Sequence, residues 1–388
     1  MELRGNWRIP TEILAGAGRI AELPERVAAL GVKRVLVVTD PGVAGLPFLA
    51  GILAALEKAG IAPALFKDLH PDPQHQDVLA GAAAYKAHKA EAIIAIGGGS
   101  GLDCGKSIGL AVSTSRPLLD FEITQATPAL DSPIPPIFAV PTTAGTGSEV
   151  GRATVVIDTE KRRKYILLHA QMLPRLVILD PELTYGLPAA ITAWTGMDAL
   201  AHCLEAYYGP FYHPIADGIA IEGMRLVKDN LVTAFSEPHN TAARMNMLAA
   251  ASMGATAFQK ALGVIHSLSH PIGARFHAHH GLTNAVLMPY ALAFNRPFIE
   301  AKMAIAAQSL GLANGFDGFL SWVLELRAAL NIPHTIEALK VTPDALEELA
   351  AEAVADPNTP DNPRPATQAD MLRILRAAMA GTLTGLGD

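Results

Sequence analysis

Short apolar runs alternate with longer stretches of helical composition in the first half of the chain. Four runs are rich in β-branched residues and end in turn-forming residues: RVLVVTD (34–40), AIIAIGGG (92–99), IPPIFAVPTT (134–143) and RLVILDPEL (175–183). Such runs are typical of strands buried on both faces of a parallel sheet. Residues 45–60 and 73–90 lie between the first two of these runs and have the composition of helices. The alternation of strands and helices predicts an α/β domain. Residues 152–170 predict a hairpin that turns at 158–161.

The pattern changes near LTYGLPAA (183–190). Beyond it the chain is rich in Ala, Leu and Met with helical periodicity and few strand-like runs. A chain of 388 residues is too long for one core, so we expect an α/β domain over 1–185 and a helical domain over 186–388. Within the latter, DPNTPDNPRPAT (356–367) is expected to be a surface connection between the last helices.

Composition restricts the classes of function. Half of the residues are hydrophobic, 17% are charged and the formal net charge is −7, which suits a globular enzyme and gives no attraction to nucleic acid. No apolar run has the length of a membrane span, and the opening MELRGNWRIP lacks the apolar segment of a signal peptide. We therefore expect a cytoplasmic protein without a membrane partner. Cys104 and Cys203 are too few for a thiolate zinc site.

Two glycine- and hydroxyl-rich turns follow predicted strands. In AIIAIGGGSGLDCGK (92–106), three glycines precede a helix whose first N–H groups suit a phosphate, although the spacing matches neither the standard dinucleotide fingerprint nor a P-loop. PTTAGTGSEV (141–150) combines glycines with Thr142, Thr143 and Thr146. One such turn could be a plain strand–helix connection. Two of them at the carboxyl ends of strands in one sheet predict a dinucleotide site.

An acidic residue, Asp40, ends the strand RVLVVTD. A carboxylate in this place accepts hydrogen bonds from the adenosine ribose hydroxyls and repels a 2′-phosphate, which favours NAD over NADP. The alternative is that Asp40 is only a turn residue before Pro41.

Histidines are concentrated in one short stretch. Five of the thirteen lie within fifteen positions: His266, His270, His277, His279 and His280. Asp198 and His202 lie four apart in a predicted helix, and His266 and His270 repeat that spacing. We expect Pro271 and Gly273 to break the second helix. A carboxylate and several imidazoles on two helical segments predict a metal site without sulfur ligands, and spacing alone leaves open which three histidines bind.

Four motifs together resemble the iron-containing alcohol dehydrogenase family (group III). They are GGGSGLDCGK (97–106), PTTAGTGSEV (141–150), TGMDALAHCLEAY (195–207) and HSLSHPIGARFHAHHGLTNAVLMPY (266–290), and the likeness extends from NWRIPTEILAGAGRI to DNPRPAT. The resemblance implies a dehydroquinate synthase-like fold, with an α/β N-terminal dinucleotide-binding domain built on a parallel sheet and an all-α C-terminal domain. It also implies an NAD-dependent, metal-dependent oxidoreductase that acts on a small alcohol or aldehyde.

The resemblance assigns roles to residues of this chain. The family's metal ligands fall on Asp198, His202, His266 and His280, and its histidine near the nicotinamide falls on His270. Its cofactor-binding residues fall on Asp40, Gly98, Gly99, Ser100, Asp103, Thr142, Thr143, Thr146 and Lys164. His277 and His279 receive no role, and Asp72 stands where some relatives carry Asn. No ligand position is lost, which speaks against the maleylacetate reductases, relatives that mostly work without metal.

The implied mechanism uses a divalent metal, Fe(II) or alternatively Zn(II), to lower the pKa of the alcohol oxygen, while His270 passes the proton outward. We expect the protein to be a homodimer. The reaction is expected to take place in a cleft between the two domains of each subunit. One alternative is a glycerol dehydrogenase-like or other polyol or hydroxyacid dehydrogenase on the same fold. Another is a scaffold or assembly subunit that retains the site.

Overall fold

The computed structural model describes residues 11–159 and 163–387, which fall into two compact units. One unit ends at Leu187 and the other begins at Pro188. The strands described are β1 (Glu12–Ala15), β2 (Arg34–Val38), β3 (Ala62–Phe66), β4 (Ala92–Gly97), β5 (Ile137–Pro141), β6 (Ala153–Asp158), β7 (Arg163–Leu168) and β8 (Leu176–Leu179). They all lie in the first unit, the α/β unit, with helices α1 (Leu23–Ala28), α2 (Pro41–Ala44), α3 (Pro47–Lys58), α4 (His75–His88) and α5 (Gly99–Val112).

A six-stranded parallel sheet forms the centre of the α/β unit, in the order β1-β8-β5-β4-β2-β3. Alternate residues of β2 enter different cores, because successive side chains of a strand point to opposite faces. Val35 and Val37 belong to one buried cluster, whereas Leu36 and Val38 belong to the other. The predicted α/β domain with a parallel sheet is confirmed, and its central strands are apolar, apart from Arg34 at the start of β2, because both faces are covered.

The two edge strands were not predicted. β1 has only four residues, of which one is buried, so its apolar run over 13–15 is too short to predict a strand. β3 contains Pro63, opposite Val35 of β2. A proline interrupts the strand pattern and is tolerated here because an edge strand leaves one row of N–H groups unpaired.

The predicted hairpin is confirmed by the antiparallel pairing of β6 with β7, in which Asp158 lies opposite Arg163. Its predicted turn at 158–161 lies partly outside the described residues.

The second unit, the helical unit, has no strand among its described residues. It contains α6 (Ala189–Tyr208), α7 (Pro214–Ser236), α8 (Thr241–Ala257), α9 (Val264–Phe276), α10 (His280–Ser309), α11 (Gly315–Ala329), α12 (Leu346–Val354) and α13 (Gln368–Ala380). The expectation that Pro271 and Gly273 break the helix is wrong, since α9 continues through both to Phe276. A proline in a helix removes one N–H and crowds the carbonyl four residues before it, and here the fully buried neighbours Leu268 and Ile272 hold the segment in place. Across the described part of the chain, no helix combines the length and the apolarity needed to cross a membrane.

Two glycines of α5 let this helix approach the sheet closely. A Cβ atom on Gly101 would lie 2.9 Å from the carbonyl oxygen of Ile96, and one on Gly105 would lie 2.7 Å from Cβ of Ala95. In dinucleotide-binding domains the third glycine of the fingerprint serves this helix–strand packing. The sequence therefore departs from the fingerprint in the spacing of its glycines. Gly101 and Gly105 still allow the close packing of the helix on the strand.

We predict that Gly105→Ala lowers the free energy of unfolding by about 1–3 kcal/mol, because neither α5 nor β4 can move without disturbing a filled core. Gly51→Ala is the matched control. Gly51 also lies inside a helix, α3, but a Cβ atom there meets nothing within 4 Å, so alanine should stabilise the protein by roughly 0.5–1 kcal/mol. Urea unfolding of both variants measures the difference, and equal stability of the two would contradict the packing argument.

Candidate functional site

The structure brings together the four residues expected to bind metal. Asp198 and His202 lie on α6, His266 lies in the first turn of α9, and His280 begins α10. One potential ligand atom from each lies within 4.8 Å of the others. The first three are buried, and His280 is partly exposed. Three helices that are separate in sequence thus direct one carboxylate and three imidazoles to a common place.

The local geometry follows from the helices. Asp198 and His202 are one turn apart, so they project from the same face of α6, and Asp198 Oδ1 lies 3.8 Å from Nε2 of His202. The same oxygen lies 3.5 Å from Nε2 of His280. The ring of His266 stacks on that of His202, with 4.9 Å between centroids and 19° between planes.

The side-chain amide of Asn284 shows in which direction the potential ligand atoms of the four residues point. Nδ2 of Asn284, one turn after His280 on α10, donates to Asp198 Oδ1 at 2.8 Å and lies 3.1 Å and 3.3 Å from Nε2 of His280 and His266. Oδ1 of the same buried amide has no hydrogen-bond partner among the residues that the structure describes. One electropositive NH2 group therefore faces lone pairs from three acceptors, and a divalent cation would satisfy the same lone pairs. The residues present fit a metal with oxygen and nitrogen ligands.

A carboxylate that the sequence analysis did not single out lies behind His266. Glu205 of α6 is completely buried, and its Oε2 lies 2.5 Å from Nδ1 of His266. Its Oε1 accepts from the backbone N–H of Ile265 at 2.8 Å. Burial on its own lowers the pKa of His266, but the charge and hydrogen bond of Glu205, with smaller contributions from Asp198 and Asp356, raise it above its usual value.

His270 lies beside the cluster and has its own carboxylate partner. Its ring stacks on that of His280, with 5.6 Å between centroids and 17° between planes, and its Nδ1 lies 2.7 Å from Oδ2 of Asp356. Burial raises the pKa of Asp356, but His270 and the backbone N–H of Asn358 outweigh it and lower the pKa overall.

Asp356 shows that residues 356–367 are more than a surface connection. Asn362 of the same segment is buried and accepts from the N–H of Val264, in the first turn of α9. The segment is thus anchored on the helix that carries His266 and His270. The sequence interpretation missed this because a Pro- and Asn-rich composition is also typical of surface loops.

The two remaining histidines of the stretch lie at helix ends. His277 is exposed, has a φ of 52° and ends α9. His279 precedes α10, and its ring lies 5.0 Å from that of Trp194. Neither belongs to the four-residue cluster.

In the α/β unit, the two predicted turns touch each other. The glycine turn (97–99) follows β4 and the threonine turn (141–150) follows the neighbouring strand β5, and the N–H of Thr142 donates to the carbonyl of Gly97 at 2.9 Å. A Cβ on Gly98 would lie 3.3 Å from Cγ2 of Thr143, and one on Gly99 only 2.7 Å from Cγ2 of Thr146. The glycines therefore allow the two turns to form one continuous surface at the carboxyl edge of the sheet.

Asp40 lies at the same edge and has two neighbours. Its Oδ1 accepts from the N–H of Val43 at 3.0 Å, which caps α2. Its Oδ2 lies 3.1 Å from where a Cβ on Gly97 would be. The residue thus caps a turn, as the alternative interpretation had it, and also lies beside the glycine turn.

The other expected cofactor residues are engaged with protein groups. Asp103 accepts from the hydroxyl of Ser148 and from the N–H of Val155, the latter at 2.9 Å, so it fastens α5 to the threonine turn and to β6. The hydroxyl of Ser100 donates to the carbonyl of Pro71.

Lys164 pairs with the residue that departs from the family pattern. Its Nζ lies 2.9 Å from Oδ1 of Asp72. An Asn at position 72 could accept the same hydrogen bond but would leave the lysine charge uncompensated.

Comparisons with known proteins agree with this architecture. The family model described as iron-containing alcohol dehydrogenase matches residues 10–181, and the model for the C-terminal part of the Fe-containing alcohol dehydrogenase family matches residues 192–379. The protein is therefore an oxidoreductase, and it belongs to the iron-containing alcohol dehydrogenase family.

Individual relatives are similar over nearly their whole length. A 4-hydroxybutyrate dehydrogenase of Cupriavidus necator is 35% identical over 95% of this chain and 98% of its own. An NAD-dependent methanol dehydrogenase of Bacillus methanolicus is 32% identical over 96% of this chain and 100% of its own. The crystal structure of a 1,3-propanediol oxidoreductase superposes with a TM-score of 0.92, at 33% identity, and covers 96% of this chain and 99% of that one.

Proposed function

We propose that the protein catalyses reversible hydride transfer between NAD(H) and a small alcohol or aldehyde, with one divalent metal held by Asp198, His202, His266 and His280. The observation that carries the proposal is the convergence of these four donors within 4.8 Å of one another. The names of the relatives, dehydrogenases of 4-hydroxybutyrate and of methanol, support an alcohol substrate. A polyol dehydrogenase on the same fold is compatible with this donor set, but no observation favours it.

The donor set supports Fe(II) as the metal and also suits Zn(II), which raw affinity would favour. When bound, the ion supplies Lewis-acid chemistry that polarises the oxygen of the alcohol or aldehyde. The protein contributes a donor set of one negative charge, from Asp198, because the three imidazoles bind as neutral groups. A divalent ion would therefore exceed the charge of its direct ligands by one.

His270 is proposed to move the proton that leaves the alcohol oxygen. Its Nδ1 is engaged by Asp356 at 2.7 Å, so Nε2 remains the atom that exchanges a proton with substrate or solvent. Asp356 fixes the tautomer and stabilises the charged imidazole when the proton is held there, as carboxylate partners of catalytic histidines do.

The α/β unit is proposed to bind NAD through the fused glycine and threonine turns. The residues are those assigned from the resemblance: Asp40, Gly98, Gly99, Ser100, Asp103, Thr142, Thr143, Thr146 and Lys164. For Asp103 the contacts support a positioning role, since its carboxylate accepts from Ser148 and Val155. We further propose a cytoplasmic homodimer. The free, buried Cys104 and Cys203 fit a reducing compartment, and the dimer is expected from the family resemblance alone.

An absorbance assay for NADH formation with a panel of short alcohols, diols and polyols tests the activity. Metal-dependent reduction of NAD with a small alcohol is the expected result. A metal-loaded, folded protein that turns over none of these substrates would favour the scaffold alternative.

We predict one divalent ion per chain in the wild type and loss of most of it in His266→Ala, because the other ligands then form an incomplete shell. His277→Ala is the control, since His277 lies in the same stretch but is exposed and outside the cluster. Elemental analysis of the three proteins gives the stoichiometry. Full metal content and full activity in His266→Ala would refute the assignment.

We predict that His270→Ala retains metal and NADH binding but loses kcat on the order of 100-fold, as for other positioned acid–base groups. His277→Ala should turn over like the wild type. The check is steady-state kinetics, with metal content and NADH affinity measured on the same preparations. The opposite pattern, a silent His270→Ala and a slow His277→Ala, would show that the proton leaves by another route.

We predict a preference for NAD over NADP that depends on Asp40. A 2′-phosphate beside this carboxylate costs several kcal/mol, roughly a 100-fold or larger ratio of kcat/KM values. Asp40→Ser removes the charge but retains an oxygen that can cap α2, so the ratio should fall without loss of stability. Kinetics with both cofactors measure it. A wild type that prefers NADP, or an unchanged ratio in Asp40→Ser, would exclude this role.

A further inference from the structure

Two buried carboxylates belong to the proposed metal site: Asp198 is itself a proposed ligand, and Glu205 contacts another, His266. Asp198 is 2% exposed and Glu205 is 0% exposed. Among the described residues, no lysine or arginine forms a hydrogen bond or ion pair with either. A buried anion is costly unless an opposite charge accompanies it. A divalent ion among the ligands would balance the two charges together.

The contact between Glu205 and His266 is directional. Because the carboxylate accepts at Nδ1, the proton of the neutral ring is held on that nitrogen. Nε2 is then left with its lone pair. It is this nitrogen that faces the amide of Asn284 and the other potential ligand atoms. A carboxylate in this position fixes the ring of a metal-binding histidine and increases its basicity.

The backbone of Glu205 is as firmly placed as its side chain. It lies on the same helix as Asp198 and His202, three residues after His202, and sixteen of the twenty residues of α6 are buried. Its Oε1 is held by the N–H of Ile265 at 2.8 Å and by the hydroxyl of Tyr208 at 3.3 Å. The carboxylate cannot turn away from His266 without losing these bonds.

From this geometry we propose that Glu205 is a positioning residue that sets the metal affinity of the site through His266. The inference rests on the proposed metal site and deepens it. Its rival is a purely structural role, in which Glu205 only satisfies the N–H of Ile265 at the start of α9.

The test is Glu205→Gln, a substitution of equal shape that removes the negative charge. Apparent dissociation constants for Zn(II) and Co(II), measured on the stripped full-length protein by competition with a chelator, should rise 10- to 100-fold. The visible absorption of bound Co(II) should shift, because His266 becomes a weaker donor. Tyr208→Phe is the matched control, since it removes another bond to the same carboxylate but leaves charge and imidazole contact intact, and its affinity should stay close to that of wild type.

The outcomes separate the hypotheses. A wild type that binds neither ion defeats the proposed metal site itself. If the wild type binds metal and folded Glu205→Gln matches it within about threefold in affinity, with only its stability lowered, the structural role is correct and our inference is overturned. Should Glu205→Gln fail to fold, Glu205→Asp decides. It retains the charge but withdraws the carboxylate from Nδ1, and an affinity equal to that of wild type would overturn the inference in the same way.

Discussion

The helical unit is organised around buried negative charge. Asp198 and Glu205 both lie on α6, inside a core that is otherwise made mainly of Ala, Leu and Met side chains. Water is excluded there, so the two charges need a compensating positive charge close by. The neutral imidazoles that α9 and α10 bring to this place are potential ligands rather than counter-charges, so the proposed divalent ion would supply the compensation.

The sequence predicted the centre of the fold better than its margins. Strands β2, β4, β5 and β8 are buried on both faces, so they are read as continuous apolar runs. The edge strands β1 and β3 bury too little to leave such a signal, and Pro63 argues against a strand at all. The continuation of α9 beyond Pro271 could not be predicted either, because it depends on the packing of Leu268 and Ile272 in the core.

The candidate site shows the same division. Local spacing indicated the pairs Asp198/His202 and His266/His270, and the family resemblance selected among the histidines. Glu205 and Asp356 were missed because their partners are 61 and 86 residues away in sequence. One signal was available for Glu205: it lies seven residues after Asp198, two helical turns along, in a helix whose only other acid is Asp198. No comparable signal marks Asp356, which only tertiary structure brings to His270.

The four proposed ligands are distributed over α6, α9 and α10, so an ion bound by them would join three helices that only the folded chain brings together. An ion bound only by the folded form stabilises that form by RT ln(1 + [metal]/Kd). Cellular proteases degrade chains that unfold, so their rate of attack depends on this stabilisation. On the proposed metal site, loss of the ion would make the apoprotein open more often and expose it to proteolysis, so the amount of enzyme would decline together with its specific activity.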